Sequence, residues 1–222
     1  GIDVERGHGR VRGLRQVSVT GADGTVTTLT ARHAVAISTG TAALLPDVPG
    51  LAGIRPWTSR DATGVRDVPA SLAIIGGGVV ACEMATAFAD LGSRVTMIVR
   101  SRLLSPFEPF AGDLVRAALE ERGVEIVTGS EVASARRDGD AVISLQDGRE
   151  IVAAEVLVAT GRVPRTAGIG LDAIGLPDGG WLDVDDTMLV HGTDWLYAVG
   201  DVNHRALLTH QGKYQARAAG DV

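Results

Sequence analysis

Three consecutive glycines, Gly76 to Gly78, are the residues whose type and spacing most directly suggest chemistry. From Gly76 to Ala81 the sequence fits G-x-G-x-x-A, in which the first glycine permits a tight turn and the second leaves room for a pyrophosphate. A helix that starts there directs free N–H groups and the positive end of its dipole at an anion. The pattern predicts a dinucleotide-binding turn, the alternative being a structural glycine turn without a ligand.

The flanking segments provide the strands and the helix that such a turn needs. Apolar runs at 72–75 and 95–99 predict two buried parallel strands. Between them, helical spacing predicts a helix whose buried face is formed by Val80, Met84, Phe88 and Leu91. Gly92 follows where a left-handed helix end is expected. Together these segments predict a β-α-β unit.

The residue at the end of the second strand indicates which dinucleotide is bound. An acid there would accept hydrogen bonds from the ribose hydroxyls of NAD, whereas an arginine can pair with the 2′-phosphate of NADP. This chain has Arg100 at that point, followed by Ser101 and Arg102, and the next acid is Glu108. The sequence therefore predicts NADPH, with NADH less favoured. The alternative is that the two arginines only keep a loop solvated.

Composition limits the class of protein. The chain has 222 residues, and its 45% apolar content allows a real core. A net charge of −6 argues against nucleic acid or an anionic membrane surface as partner. Cys82 is the single cysteine, which excludes an internal disulfide framework and a cysteine-rich metal site. Without a long apolar stretch or a signal peptide, we expect a cytoplasmic protein.

The remaining sequence predicts further strands and one more helix beside the β-α-β unit. Before it, we expect strands at 14–20, 26–30 and 33–38. After it, we expect a helix at 112–121 with Leu114, Val115, Ala118 and Leu119 turned inward. Strands are expected next at 124–128, 132–136, 141–146, 150–152 and 154–160, the middle three forming a β-meander.

A carboxylate near the end of the chain also follows an apolar strand. Gly200 and Asp201 come directly after the run at 195–199. At the carboxyl end of a parallel strand, an aspartate can accept a sugar hydroxyl while the glycine keeps the approach open. Alone, the pair would be a common strand-to-loop turn. The segment 207–213 reads as a loop that enters a helix.

These motifs together resemble the flavin-dependent pyridine nucleotide-disulfide oxidoreductases, the family of glutathione reductase, dihydrolipoamide dehydrogenase and mercuric reductase. The resemblance covers nearly the whole chain, and it is most similar to the mercuric-reductase-like branch. The motifs occur in the family's order: Ser38-Thr-Gly40, Gly76 to Glu83, Ala159-Thr-Gly-Arg-x-Pro164 and Tyr197-Ala-Val-Gly-Asp201, followed by Leu207-Leu-Thr209.

The resemblance implies an α/β fold in two domains. A Rossmann-like NAD(P)-binding domain with a β-meander, at 58–163, would be inserted in part of a second, FAD-binding α/β domain at 1–57 and 164–222. The family's first glycine fingerprint and its CxxxxC redox pair would precede this chain. Its C-terminal dimerisation domain with a His-Glu base would follow, so we expect an internal piece of a longer protein, without catalytic residues of its own.

The resemblance also implies cofactor-binding roles. The residues it assigns to FAD are Gly40, Arg162, Gly200, Asp201, Leu208 and Thr209. The residues it assigns to the pyridine dinucleotide are Gly76, Gly78, Val79, Glu83, Arg100 and Gly161. Val79 stands where many members have a tyrosine that covers the flavin, so valine would leave that face more open. Two alternatives remain: Glu83 complements the helix dipole, and Arg162 is a surface ion-pair residue.

The implied activity is transfer of hydride from NADPH to FAD, and then of electrons to a small-molecule or protein disulfide, a metal ion or another acceptor. The full-length parent would be a homodimer, and the isolated piece would lack turnover. Two alternatives stay open. One is a non-catalytic NAD(P)-binding module that senses redox state, and the other is a flavoprotein reductase or oxidase without a redox disulfide.

Overall fold

The structure, a computed structural model, describes residues 1–221. The first strands are β1 (His8–Gly13), β2 (Gln16–Thr20), β3 (Val26–Thr30), β4 (Val35–Ile37) and β5 (Thr41–Ala43). The central strands are β6 (Ser71–Ile75), β7 (Arg94–Val99), β8 (Glu125–Thr128), β9 (Val132–Asp138), β10 (Asp140–Leu145), β11 (Glu150–Ala153) and β12 (Glu155–Val158). The last strands are β13 (Arg162–Pro164) and β14 (Leu196–Ala198).

The helices are α1 (Ser59–Gly64), α2 (Val79–Asp90), α3 (Pro109–Glu121) and α4 (Thr209–Gly220). Short 3₁₀ turns lie at Ala52–Ile54, Leu171–Ile174 and Asp201–Asn203. The chain divides into two compact units, one formed by residues 1–42 with the chain from Val163 onward, the other by residues 43–162. The predicted domain limits at 57 and 163 stay a prediction. Residue 222, at the end of the predicted third segment, lies outside the described residues.

A four-stranded parallel sheet forms the centre of the unit at 43–162. Its strand order is β12-β6-β7-β8, and every neighbouring pair is parallel. All five residues of β6 are buried, as a strand covered on both faces requires. This sheet and the helices around it confirm the predicted α/β class.

Alternate residues of the sheet pack into two different cores. Leu72, Ile74 and Met97 pack on the face covered by α2 and α3. Ala73 and Ile98 pack on the other face, where the antiparallel meander β9-β10-β11 and the 3₁₀ turn at Ala52–Ile54 close the second core. The period-two alternation of strand side chains therefore divides one apolar sequence run between two layers.

The buried face of α2 differs from the predicted one. Its buried residues are Ala81, Cys82, Ala85 and Phe88, whereas Val80 and Leu91 are exposed. Small side chains face the sheet because they let the helix axis approach the strands closely. The predicted face was therefore correct in part: Phe88 is buried, Met84 packs against the core, and Gly92 has the expected left-handed φ of +95°.

Helix α3 begins with Pro109 at its first turn, three residues before the predicted start. Leu119 is buried and Val115 packs against the core, as predicted, but Leu114 is 66% exposed. Gly112 is buried instead, and a Cβ there would lie only 2.6 Å from the Leu103 carbonyl oxygen. The loop that precedes α3 therefore packs directly on the helix backbone.

The other unit contains the antiparallel sheet β1-β2-β3 and the parallel pair β4 and β14. Strand β1 was not predicted, because His8–Gly13 has a single fully buried apolar residue, Val11. Strands β4 and β14 were predicted. Their residues Ile37, Leu196 and Ala198 are buried in a separate core. Among residues 1–221, no helix is long and apolar enough to cross a membrane.

Candidate functional site

A cleft of about 680 Å³ lies at the carboxyl edge of the parallel sheet, within the unit at 43–162. Ligand sites of open α/β sheets occur at this edge. The cleft is lined by residues that follow β6, β7, β8 and β12. Six of the predicted cofactor-binding residues line it: Gly76, Gly78, Val79, Arg100, Gly161 and Arg162.

The three glycines of the turn have different surroundings. Gly76 has φ +134°. A Cβ at this position would overlap the carbonyl oxygen of Ala159, the residue that follows β12. At Gly77 a Cβ would lie 2.6 Å from Val99 Cγ1. At Gly78, which has φ −82°, no atom lies within 4 Å of the Cβ position. The fold itself therefore accounts for the first two glycines, whereas Gly78 leaves open space where α2 begins.

Helix α2 begins beside that open space. Gly78 is the residue before the first helical turn, and Val79 is the first helical residue. The first N–H groups of a helix have no partner within the helix. An open glycine beside such donors fits a pyrophosphate group, which accepts their hydrogen bonds and is favoured by the helix dipole.

Arg100 stands at the end of β7 and lines the same cleft. Its side chain is 82% exposed, and its Nε lies 3.7 Å from Oε1 of Glu131. Arg102 is bound differently, since its Nη2 donates to the carbonyl oxygens of Ser105 at 2.7 Å and Phe107 at 2.9 Å. Of the two arginines named from the sequence, Arg102 orders the loop, and Arg100 keeps its guanidinium accessible.

Gly161 closes the opposite side of the cleft. It has φ +152°, and its carbonyl oxygen accepts the N–H of Leu44 at 2.9 Å. The hydroxyl of Thr160 donates to the Leu44 carbonyl oxygen at 3.0 Å. This reciprocal pairing fixes the segment after β12 against the segment at 43–44, so that the backbone of Gly161 is held at the cleft wall.

Glu83 lies on the second turn of α2 and is exposed. It is not among the described residues that line the cleft. Its neighbour Cys82 is buried, and burial, with a smaller contribution from the negative charge of Glu83, raises the pKa of the Cys82 thiol. A raised pKa keeps the thiol protonated and unreactive at neutral pH.

The residues assigned to FAD, apart from Arg162, lie in the other unit. Gly40 and Gly200 follow the parallel strands β4 and β14, so they share one sheet edge. Both have positive φ, and nothing lies within 4 Å of either Cβ position. Asp201 Oδ2 accepts the hydroxyl of Thr41 at 2.8 Å. This edge is open and carries a carboxylate held in place.

Helix α4 is joined to that edge by a buried amide. Gln215 Oε1 accepts the Gly200 N–H at 2.8 Å and the Asn203 Nδ2–H at 2.8 Å. Leu208 precedes the helix and Thr209 begins it, and both are exposed. The hydrogen bonds of Gln215 therefore fix the position of this helix start relative to the Gly200 turn.

The sequence interpretation missed Glu131 and Thr41. Glu131 follows β8, and its position could have been inferred, because the carboxyl ends of the parallel strands β7 and β8 meet at one edge. Thr41 carries no sequence signal of its own. In the part of the chain that the structure describes, no group of three His, Cys, Asp or Glu residues could hold a metal ion.

A glycine turn, a helix start and a cationic strand end around one cleft are the arrangement found in dinucleotide-binding α/β proteins. Residues 1–219 match the family model described as pyridine nucleotide-disulphide oxidoreductase. The chain belongs to this family of flavoprotein oxidoreductases, which confirms the resemblance inferred from the motifs.

Two mercuric reductases are among the most similar relatives. The chain is 39% identical to the Shigella flexneri enzyme over 191 residues, which cover 83% of this chain and 33% of the relative. It is 34% identical to the Acidithiobacillus ferrooxidans enzyme over 222 residues, which cover 99% of this chain and 39% of the relative. The chain therefore spans between a third and two fifths of the length of these relatives.

A solved structure agrees with the fold. The Cu(II) complex of a mutant form of the HOCl-induced flavoprotein disulfide reductase RclA from Escherichia coli superposes with a TM-score of 0.90. The superposition covers 99% of this chain and 50% of that chain, at 23% identity. At this level of identity, the likeness shows the fold alone.

Proposed function

We propose that this chain is the NADPH-binding part, with a portion of the FAD-binding part, of a flavoprotein oxidoreductase. The observation that carries the proposal is the cleft in which the open Gly78 position at the start of α2 and Arg100 at the end of β7 stand at one sheet edge. The first feature fits a pyrophosphate, and the second fits a phosphate on the adenosine ribose.

Different residues of the cleft bind different parts of the dinucleotide. The N–H groups at the start of α2 bind the pyrophosphate, and Gly78 keeps their approach free of a side chain. Arg100 pairs with the 2′-phosphate. Val79 and Gly161 contact the remainder of the dinucleotide, and Glu83 extends from α2 towards the nicotinamide end.

The residues of the other unit fit one side of FAD. Gly40 and Gly200 give backbone access at the edge, and Asp201, held by the Thr41 hydroxyl, accepts a hydroxyl of the ribityl chain. Leu208 and Thr209 approach the ring system. When bound, the flavin supplies the two-electron chemistry that joins nicotinamide oxidation to reduction of an acceptor.

We propose that the acceptor is a metal ion or a disulfide. The names of the two mercuric reductases support the metal ion, and the family's description supports the disulfide. We also propose that the whole protein acts in the cytoplasm as a homodimer. These statements concern the complete protein, of which the chain supplies the nucleotide-binding region.

A competition experiment tests the proposed function directly. NADPH is bound to the purified chain and then displaced with adenosine 2′,5′-bisphosphate or with adenosine 5′-monophosphate. We expect the bisphosphate to compete at least about tenfold better, because it alone carries the phosphate that Arg100 binds. Equal competition by the two compounds, or failure of NADPH to bind, would contradict the proposal.

A further inference from the structure

The charge environment of Arg100 includes a carboxylate that no sequence motif indicated. Glu131 lines the same cleft, and its Oε1 lies 3.7 Å from Arg100 Nε. The Glu131 side chain is 48% exposed, so both members of the pair are accessible to solvent. The carboxylate therefore stands beside the cation to which we assign the 2′-phosphate.

The backbone keeps Glu131 in this position. Gly129, just after β8, turns the chain with φ +76°, and the Glu131 carbonyl oxygen accepts the N–H of Gln146 at 2.9 Å. The next residue, Val132, begins β9. The Glu131 side chain can change rotamer, but its Cα is held beside the end of β7.

Arg102 does not offset the negative charge of Glu131. Its Nη2 is engaged by the Ser105 and Phe107 carbonyl oxygens, so Arg100 is the guanidinium that faces Glu131. A 2′-phosphate must compete with the Glu131 carboxylate for the donors of Arg100, and the two anions also repel each other. The ribose of NADH carries no such phosphate, so its binding involves neither this competition nor this repulsion.

We infer that Glu131 is a specificity-determining residue that limits the preference of this cleft for NADPH over NADH. It forms an ion pair with Arg100 in place of the 2′-phosphate and weakens the hold on that phosphate. This inference rests on the proposed function, because it assumes that Arg100 binds the 2′-phosphate.

The test compares Glu131→Gln with the unaltered chain in titrations of NADPH and NADH. Glutamine keeps the size of the side chain and removes its charge. We expect NADPH to bind about three- to tenfold more tightly and NADH to change by less than about twofold. The gain in NADPH affinity should shrink as salt is added, because the opposed charges are exposed.

Two further variants separate the effect from a general change of net charge. Glu121→Gln makes the same charge change at the exposed end of α3, away from the lining of the cleft, and should leave both affinities unchanged. In an Arg100→Gln background, the gain from Glu131→Gln should become smaller, because the ion pair that competes with the phosphate is gone.

The outcomes distinguish the inference from the proposed function. If Arg100→Gln weakens NADPH binding but Glu131→Gln leaves the ratio of the two affinities unchanged, the inference is overturned and the proposed function stands. Selective loss of NADH binding in Glu131→Gln would also overturn it, because Glu131 would then be an acceptor for ribose hydroxyls. Failure of both nucleotides to bind the unaltered chain would overturn the proposed function and this inference together.

Discussion

The three consecutive glycines of the turn differ in their backbone conformation and in the atoms that surround them. Gly76 is required by its positive φ and by the Ala159 carbonyl oxygen, and Gly77 by the side chain of Val99. Gly78 has an ordinary φ of −82° and free space around its Cβ position. The fold therefore does not require a glycine at this position, and we propose that a bound pyrophosphate does.

This difference predicts opposite behaviour of two alanine variants. Gly76→Ala should lower the free energy of unfolding by at least about 2 kcal/mol, because it adds backbone strain and a backbone overlap. Gly78→Ala should change it by less than about 1 kcal/mol yet weaken NADPH binding at least about tenfold. Urea unfolding and nucleotide titration measure the two effects.

A third glycine provides the control for Gly78→Ala. Gly64 ends α1, has free space around its Cβ position and does not line the cleft. Gly64→Ala should leave NADPH affinity unchanged. If Gly78→Ala also leaves it unchanged, the pyrophosphate does not lie at the start of α2.

The single cysteine gives a prediction about reactivity. Burial first, and the charge of Glu83 second, raise the pKa of the Cys82 thiol, so the reactive thiolate is scarce at neutral pH. We expect the folded chain to react with iodoacetamide at least about tenfold more slowly than the chain in denaturant. Equal rates would show that the thiol is exposed in the native state.

At the scale of elements, a carboxylate fixes the start of α1. Oδ2 of Asp61 accepts the N–H and the hydroxyl of Thr58, both at 2.8 Å, and these bonds hold the pKa of Asp61 below its ordinary value. Asp61→Ala should lower the free energy of unfolding at pH 7 by about 0.5 kcal/mol, a small cost because the site is exposed.

The pH dependence of that cost follows from the direction of the pKa shift. A depressed native pKa means that the stabilisation is present above the unfolded pKa of about 4 and is lost as the pH falls through the lower native value. The difference between Asp61→Ala and the unaltered chain should therefore shrink in acid. A difference that stays constant from pH 7 to pH 3 would show that the charge of Asp61 contributes nothing.

Strands and helices were predictable from the sequence where a local pattern of residues determines them. The buried runs of β6 and β7 and the glycines around α2 are such signals, because a strand covered on both faces must be apolar throughout. The buried face of α2 was not predictable from apolar size, because close packing on the sheet selects Ala81 and Ala85 over the larger Val80.

The residues of the candidate site were also predictable only in part. That Gly76, Gly78 and Arg100 line one cleft was predictable, because all three lie within one β-α-β unit. Glu131 was missed, because its approach to Arg100 depends on the pairing of β7 with β8 across a long sequence separation. The predicted strand at 124–128 could have placed Glu131 at the same sheet edge, but its contact with Arg100 follows only once β8 is known to lie beside β7.

At the scale of the whole molecule, we propose that the chain supplies binding surfaces rather than a complete redox path. Its one cysteine cannot form a redox disulfide within the chain, and that cysteine is buried. We expect no steady oxidation of NADPH by the purified chain, with or without added FAD, as followed by NADPH absorbance. Sustained turnover would contradict the assignment of the acceptor chemistry to other parts of the protein.

The central claim is that the cleft binds NADPH and selects it through Arg100. Calorimetric titration of the chain with NADPH and NADH, repeated with Arg100→Glu, tests it most directly. We expect NADPH to bind more tightly to the unaltered chain, and the substitution to weaken NADPH binding about tenfold or more and so remove the preference. Equal affinities for the two nucleotides in both proteins, or no binding of either, would contradict the account.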